Sequence, residues 1–186
     1  MNKYSKFLLF GTCGAGKSTT THKLARLTDY PHLHVDKIAL TQDFKTKDYS
    51  TIVNTVQHFV NNNPQCIIDY MEYGENSKLF KWLVSSLGAD GMAVHFDFSK
   101  EDGMQGIFQK CDNFKQGKMP VGLPPNPGYA SLDTVRLTSS LIDKYIKQRP
   151  ELLSILSRSS CETRRLRTFT DVDQFTKGIA RHRGRD

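Results

Sequence analysis

Residues 11–18 read Gly-Thr-Cys-Gly-Ala-Gly-Lys-Ser and match the pattern G-x-x-x-x-G-K-[ST]. The apolar run from Lys6 to Phe10 precedes this segment and predicts a strand that is buried on both faces. Helical spacing of apolar residues begins at Lys17 and ends before Pro31. A glycine-rich turn between a strand and a helix presents backbone N–H groups and the positive end of the helix dipole to one point. The segment therefore predicts a phosphate-binding loop.

This loop predicts a nucleotide-binding site. Lys17 would neutralise charge on the β- and γ-phosphates, and the Ser18 hydroxyl would bind the Mg²⁺ that bridges phosphate oxygens. The expected cofactors are ATP and Mg²⁺, and ATP is preferred to GTP because no guanine-specificity motif follows late in the chain. The predicted nucleotide-binding residues are Gly11, Thr12, Cys13, Gly14, Ala15, Gly16, Lys17, Ser18 and Thr19.

Two aspartates follow predicted strands, so both would lie at the carboxyl edge of a parallel sheet, where the phosphate loop also opens. Asp69 follows the apolar run Cys66–Ile68 and is predicted to hold Mg²⁺, with a loop-capping role as the alternative. Asp36 is predicted to act as a base or to orient an acceptor hydroxyl, with a helix N-cap as the alternative. Glu72 is a weaker third candidate.

Strand and helix patterns alternate along the chain, which predicts right-handed βαβ crossovers around a parallel sheet and an α/β fold. The length of 186 residues fits one domain, which we place at residues 1–180. Predicted strands cover residues 6–10, 32–35, 66–68, 92–98 and 166–169. Predicted helices cover residues 17–28, 47–62, 77–87, 102–110, 131–149 with an extension or restart to 156, and 171–179.

Residues 111–130 lack any periodic pattern and are rich in proline, glycine and lysine. A structureless segment of this length inside a domain is typical of a functional lid or of disorder. We expect a lid here. The arginine-rich residues 181–186 are expected to form a loose basic tail.

Lys and Arg number 26 and Asp and Glu number 19, so the net charge of +7 favours anionic partners. These include a nucleotide, a small acceptor and, through the carboxyl-terminal arginines, nucleic acid. No apolar run approaches the roughly 18 residues that span a bilayer, and no secretory signal is present, so we expect a cytoplasmic protein without a membrane partner. The four cysteines are far apart and predict free thiols. The oligomeric state is left open.

His32 and His34 alternate on a predicted strand. The strand offers no third ligand in register, which argues against a metal site. Tyr70, Tyr73 and Trp82 could stack on a base, although core or surface packing is the usual role of isolated aromatic residues.

Four segments carry a resemblance to adenylate-kinase-like P-loop proteins, particularly to the DNA topology modulation protein group. They read FLLFGTCGAGKSTTTHKLA, LHVDKIAL, CIIDYMEYG and RPELLSIL followed by RRLRTFTDVDQF. The resemblance implies a P-loop NTPase three-layer sandwich with a five-stranded parallel sheet in the order 2-3-1-4-5. It also implies a mobile lid after strand four and ATP-dependent phosphoryl transfer to a small acceptor.

The chain departs from this family in its arginines, because it contains none between Arg26 and Arg136. Lysine lacks the bidentate fork that suits phosphate, yet Lys110 stands where the family places lid arginines and is a candidate phosphate contact together with Arg136. Our first hypothesis is a small-molecule or nucleotide kinase. The alternative is a nucleotide-binding regulatory or nucleic-acid-associated P-loop protein without efficient kinase activity.

Overall fold

Five strands form one parallel sheet in the computed structural model, which describes residues 3–39, 47–70, 77–118 and 132–183. The order of the strands across the sheet is β2-β3-β1-β4-β5, and every neighbouring pair is parallel. The parallel sheet and the strand order 2-3-1-4-5 expected from the sequence are therefore confirmed. The strands are β1 (Lys6–Gly11), β2 (His32–His34), β3 (Cys66–Asp69), β4 (Gly91–Phe96) and β5 (Glu162–Leu166).

Helices connect the strands, and local capping explains several of their ends. The side chain of Asp48 accepts a hydrogen bond from the Thr51 backbone N–H at 3.1 Å, and Ser99 caps another helix in the same way. The described helices are α1 (Lys17–Thr28), α2 (Val35–Ala39), α3 (Tyr49–Asn62), α4 (Lys78–Leu87), α5 (Lys100–Lys115), α6 (Leu132–Ser157) and α7 (Phe169–Arg183). None of them is long and apolar enough to cross a bilayer.

Alternate residues of β1 point to opposite faces of the sheet, and each face is covered by helices. Leu8 and Phe10 pack in a cluster with residues of α3, α4 and α6. Phe7 and Leu9 pack in a second cluster with residues of α1 and α7. Both faces of the central strands are buried, which explains why these strands read as continuous apolar runs rather than as alternating ones.

The predicted range of the fifth strand, residues 166–169, is wrong, because β5 spans Glu162–Leu166. This strand lies at the edge of the sheet, and its first four residues are exposed. An exposed edge strand needs few apolar residues, so its hydrophobic signal is weak and only Leu166 was recognised. Helix α7 accordingly begins at Phe169 and runs to Arg183, so residues 181–183 of the expected tail are helical.

One further helix prediction needs correction. Helix α5 extends to Lys115, so the first part of the expected lid, residues 111–115, is helical, and residues 116–118 follow it outside any helix or strand. Residues 119–130 of the lid segment lie outside the described residues, and the lid stays a prediction.

Of the two alternatives for α6, an extension or a restart after Pro150, the structure has the extension. Tyr145 and Leu152, on either side of Pro150, are both buried in the core, which offsets the lost backbone hydrogen bond.

Replacing Phe80 by Ala should lower the free energy of unfolding by about 3–5 kcal/mol. Phe80 is completely buried and meets the ring of Phe10 edge-on at 4.9 Å between centroids, so the substitution leaves a cavity at the heart of one cluster. Urea unfolding measures the change. Phe108→Ala is the control, since Phe108 is 50% exposed and its loss should cost little; equal effects would contradict the packing described here.

Candidate nucleotide and phosphoryl-transfer site

The loop between β1 and α1 requires glycine at three positions. Gly11, Gly14 and Gly16 have φ values of +125°, +80° and +87°, which residues with a side chain rarely adopt. A methyl group on Gly11 would also stand 2.3 Å from the carbonyl oxygen of Phe96. The Thr12 backbone N–H donates to that same oxygen at 2.9 Å, so the loop is tied to the end of β4.

Lys17 lies at the first position of α1 and folds back over the loop. Its side chain is buried, and Nζ donates to the carbonyl oxygens of Gly11 and Thr12, both at 2.9 Å. These two contacts hold the ammonium group at the loop, where the sequence motif expects a phosphate to bind. Among the other predicted loop residues, Ala15 is buried, Ser18 is half-buried and Thr19 is exposed.

The structure joins the two residues that were predicted to hold Mg²⁺. Ser18 Oγ donates to Asp69 Oδ2 at 2.6 Å, and His34 Nδ1 lies 2.8 Å from the same oxygen. Asp69 is 1% exposed. Burial alone would raise the pKa of the Asp69 carboxyl, but the hydrogen bond from His34, the charge of Lys17 and the Ser18 hydroxyl together hold this pKa below its usual value. Asp69 is therefore a buried carboxylate that stays ionised.

Asp36 and Lys110 are far apart in the sequence, but both lie near Cys13 of the loop. Asp36 lies in the first turn of α2, and Lys110 lies on α5. Burial lowers the pKa of Lys110, and the nearby charges of Asp36 and of Asp69 oppose this shift. Burial likewise raises the pKa of the Cys13 thiol in the loop. Arg136, the other predicted phosphate contact, is exposed near the start of α6. Glu72 and Tyr73 lie outside the described residues.

Helix α5 packs directly on the phosphate loop through two glycines. A methyl group on Gly106 would stand 2.1 Å from the Gly14 carbonyl oxygen, and one on Gly103 would stand 2.7 Å from that of Cys13. Both glycines weaken the helical pattern of residues 102–110, because glycine disfavours a helix interior by about 1 kcal/mol relative to alanine. Their role is the close approach of helix and loop backbones, a tertiary contact that periodicity does not reveal.

Gly106→Ala should disturb this contact and weaken the binding of Mg-ATP by about tenfold, as judged from the roughly 1–3 kcal/mol that overpacking costs. The substitution favours the isolated helix, so any loss must come from the collision with Gly14. Isothermal titration with Mg-ATP and urea unfolding measure both effects. Gly178→Ala on α7 is the matched control, because among the described residues nothing outside the local helix backbone lies within 4 Å of its new methyl group. Unchanged Mg-ATP binding in both variants would show that the contact between Gly106 and Gly14 does not support binding.

An ion network at the end of β4 escaped the sequence analysis. Asp97 accepts hydrogen bonds from Arg149 Nη1 and from Arg165 Nε, each at 2.6 Å. Its pKa stays below the usual value, because the hydrogen bond from Arg165 and the charges around it outweigh the effect of burial. A signal was present, since Asp97 directly follows the apolar strand β4, just as Asp69 follows the apolar run of β3.

His95 lies beside this network and is 1% exposed. It stacks on Phe10, with centroids 4.8 Å apart, and its Nε2 is hydrogen-bonded to the Tyr145 hydroxyl. Burial lowers the pKa of His95 to about 4. The Asp97 carboxylate opposes this shift, whereas the positive charges of Arg165 and Arg149 lower the pKa further. The imidazole is consequently neutral at physiological pH.

The free energy of unfolding should therefore fall as the pH drops from about 6.5 to about 4, by up to about 3 kcal/mol from this residue. In that range the unfolded chain binds a proton at residue 95 that the folded chain does not bind. Urea unfolding at a series of pH values measures the slope. His95→Gln should flatten it, whereas His58→Gln, at an exposed position on α3, should leave it unchanged. A slope that is the same in all three proteins would contradict the buried neutral imidazole.

A narrow cleft lies beside the loop at the carboxyl edge of the sheet. Gly11 and Tyr70 line one side, and Lys144 and Gln148 of α6 line the other. Tyr70 is buried, and its ring lies 5.6 Å from that of Phe80, so it belongs to the core rather than to an open base-stacking surface. Trp82 also packs against this core.

The sheet order, the phosphate loop and the enclosing helices together are those of the P-loop kinase fold, and solved structures of such kinases share it. A gluconokinase from Sinorhizobium meliloti superposes with a TM-score of 0.54 at 12% identity, over 98% of this chain and 95% of that one. Shikimate kinase from Acinetobacter baumannii, in complex with shikimate, has a TM-score of 0.57 at 14% identity, over 96% and 92%. The YorR protein from Bacillus subtilis, in complex with phosphorylated GDP, has a TM-score of 0.53 at 15% identity, over 94% and 92%.

No protein-family model matches the sequence, and no curated protein matches it. At these identities the likeness establishes the fold. The narrower resemblance to the DNA topology modulation group stays a prediction.

Proposed function

We propose that the protein is an ATP-dependent phosphotransferase that uses Mg²⁺ and acts on a small acceptor. The observation that carries this proposal is the Ser18–Asp69 hydrogen bond of 2.6 Å beside the Lys17 ammonium group. It joins a hydroxyl, an ionised carboxylate and a cation at a loop of backbone N–H donors. These are the groups that hold and polarise a nucleotide triphosphate in P-loop enzymes.

The residues at this point fit Mg²⁺. The ion prefers oxygen ligands and usually binds through one or two carboxylates together with substrate phosphates. Ser18 Oγ and Asp69 Oδ2 are oxygen donors in contact, and Asp69 stays ionised although it is buried. When bound, Mg²⁺ would neutralise the charge that develops on the phosphate oxygens.

The other predicted residues have roles that agree with their positions. Lys17 would exchange its two carbonyl partners for phosphate oxygens and stabilise the transferring group. Asp36 would accept the proton of the acceptor hydroxyl, and Lys110, whose charge acts on Asp36, would contact phosphate. Arg136, which is exposed near the start of α6, would be a further phosphate contact.

The fold comparisons suggest a class of acceptor, a small polyhydroxylated acid. Such an acceptor agrees with the gluconokinase and shikimate kinase folds that resemble this chain.

A second candidate is a nucleotide-binding protein that lacks efficient transfer. It is favoured by the absence of arginine between Arg26 and Arg136, and by the engagement of Arg149 and Arg165 with Asp97. Both guanidinium groups are occupied by a structural carboxylate. This candidate predicts ATP binding without acceptor-dependent turnover.

A coupled ADP-release assay with Mg-ATP should show turnover that depends on one acceptor of a panel containing gluconate, shikimate, nucleosides, nucleotides and other small hydroxy acids. Lys17→Ala should reduce this turnover by about 10²-fold or more, because it removes the cation that faces the transferring group. Asp69→Asn should raise the Mg²⁺ concentration that is required.

Lys23→Ala is the matched control, because Lys23 lies on the same helix but is exposed and pairs with Asp173 at 3.5 Å. ATP binding that is lost in Lys17→Ala but is accompanied by no acceptor-dependent turnover would favour the second candidate. The absence of ATP binding would overturn both.

A further inference from the structure

Three histidines from two elements meet next to the phosphate loop. One ring nitrogen from each of His22, His32 and His34 lies within 4.8 Å of the corresponding atoms of the other two. Ring centroids are 4.9 Å apart for His22–His32 and for His22–His34, and 5.3 Å apart for His32–His34. β2 itself supplies no third ligand in register; the third histidine comes from α1, which packs on that strand.

The geometry follows from two simple periodicities. His32 and His34 are two residues apart on β2, so their side chains leave the same face of the strand. His22 is one helical turn after Ser18 on α1 and therefore shares the side of the helix that faces the sheet edge. We refer to His22, His32 and His34 as the histidine cluster.

His34 is prepared for a ligand. Its ring is 7% exposed, and Nδ1 is hydrogen-bonded to Asp69 Oδ2 at 2.8 Å. Because Nδ1 faces the carboxylate, Nε2 is the ring nitrogen that remains for a ligand. Within the described ranges, Nε2 of His34 is a buried atom without a hydrogen-bond partner. A buried polar atom without a partner is costly, and a metal ion bound to the neutral ring would satisfy it.

We propose that the histidine cluster is a binding site for a transition-metal dication of the Zn²⁺ class, with Asp69 orienting the His34 ring. A carboxylate behind a metal-binding imidazole is the usual outer partner, which sets the tautomer and the orientation of the ring. Imidazole suits Zn²⁺, Ni²⁺ and Cu²⁺ rather than Mg²⁺, so the cluster and the oxygen ligands at Ser18–Asp69 select different ions.

The ligand nitrogens lie within 4.8 Å of one another, a spacing that closes by rotation of the rings. Around a tetrahedral Zn²⁺ bound at about 2.0–2.1 Å, ligand nitrogens stand about 3.3 Å apart, so the rings would approach one another by at most about 1.5 Å. His22 and His32 are only half-buried and can rotate, while His34 is held in place by Asp69. The neighbouring cation Lys37 is exposed, so water and salt screen its charge.

The test is the titration of the untagged protein with Zn²⁺ in the presence of excess Mg²⁺, followed by isothermal calorimetry. We expect one equivalent of Zn²⁺ to bind, and His22→Gln or His32→Gln to weaken its affinity by about 10²-fold or more. His58→Gln is the matched control, since His58 is an exposed histidine on α3, away from the cluster. No Zn²⁺ binding, or equal binding in all four proteins, would overturn the proposal.

Co²⁺ absorption of the unsubstituted protein gives a second test that does not depend on the folding of a variant. Binding at the histidine cluster should produce d–d bands without thiolate-to-metal charge transfer. A thiolate band would place the ion at one of the four cysteines and overturn the proposal. Because both tests measure binding without nucleotide, they stay independent of whether the protein proves to be a kinase.

Discussion

The candidate site depends on the hydrogen bonds of one buried carboxylate, that of Asp69. An ionised carboxylate with 1% exposure is costly unless its oxygens are satisfied, and here Ser18 and His34 converge on the same oxygen. These partners come from the start of α1 and from the end of β2, on either side of β3 in the fold. A single buried charge thus holds the phosphate loop, the sheet edge and the histidine cluster in one arrangement, and the charge of Lys17 helps to keep it ionised.

A second constraint acts on the other side of the loop. Helix α5 approaches so closely that glycines meet backbone, with Gly106 against Gly14 and Gly103 against Cys13. The helix therefore supports the loop conformation with its backbone, at the cost of two poor helix formers. No arginine lies between Arg26 and Arg136, and Lys110 of the same helix is half-buried.

Asp69 also connects the two ion sites that we propose. Its Oδ2 atom is hydrogen-bonded to both Ser18 and His34. A cation bound by Ser18 and Asp69 would therefore compete with His34 for this oxygen. Occupation of either site would alter the hydrogen-bonding demand on the other. The fold thereby places three imidazoles and the Ser18 hydroxyl around one carboxylate, and this juxtaposition arises from the parallel order β2-β3-β1 at the sheet edge.

Local sequence determined the glycine-rich loop, the apolar central strands and their parallel pairing, because these depend on glycine spacing, on short apolar runs and on the alternation of strand and helix. The position of Asp69 at the end of β3 was predicted for the same reason, and its carboxylate accepts a hydrogen bond from Ser18. The strand order 2-3-1-4-5 was implied by the family resemblance. Tertiary structure alone decided the rest. The edge strand β5 is recognised by its pairing with β4 rather than by its exposed residues, and α5 persists through its glycines because the loop packs on them. The histidine cluster could not be predicted, since His22 joins the β2 pair only when helix α1 packs beside that strand. Periodicity reports how one element faces its core, and it carries no information about which side chains of two different elements come into contact.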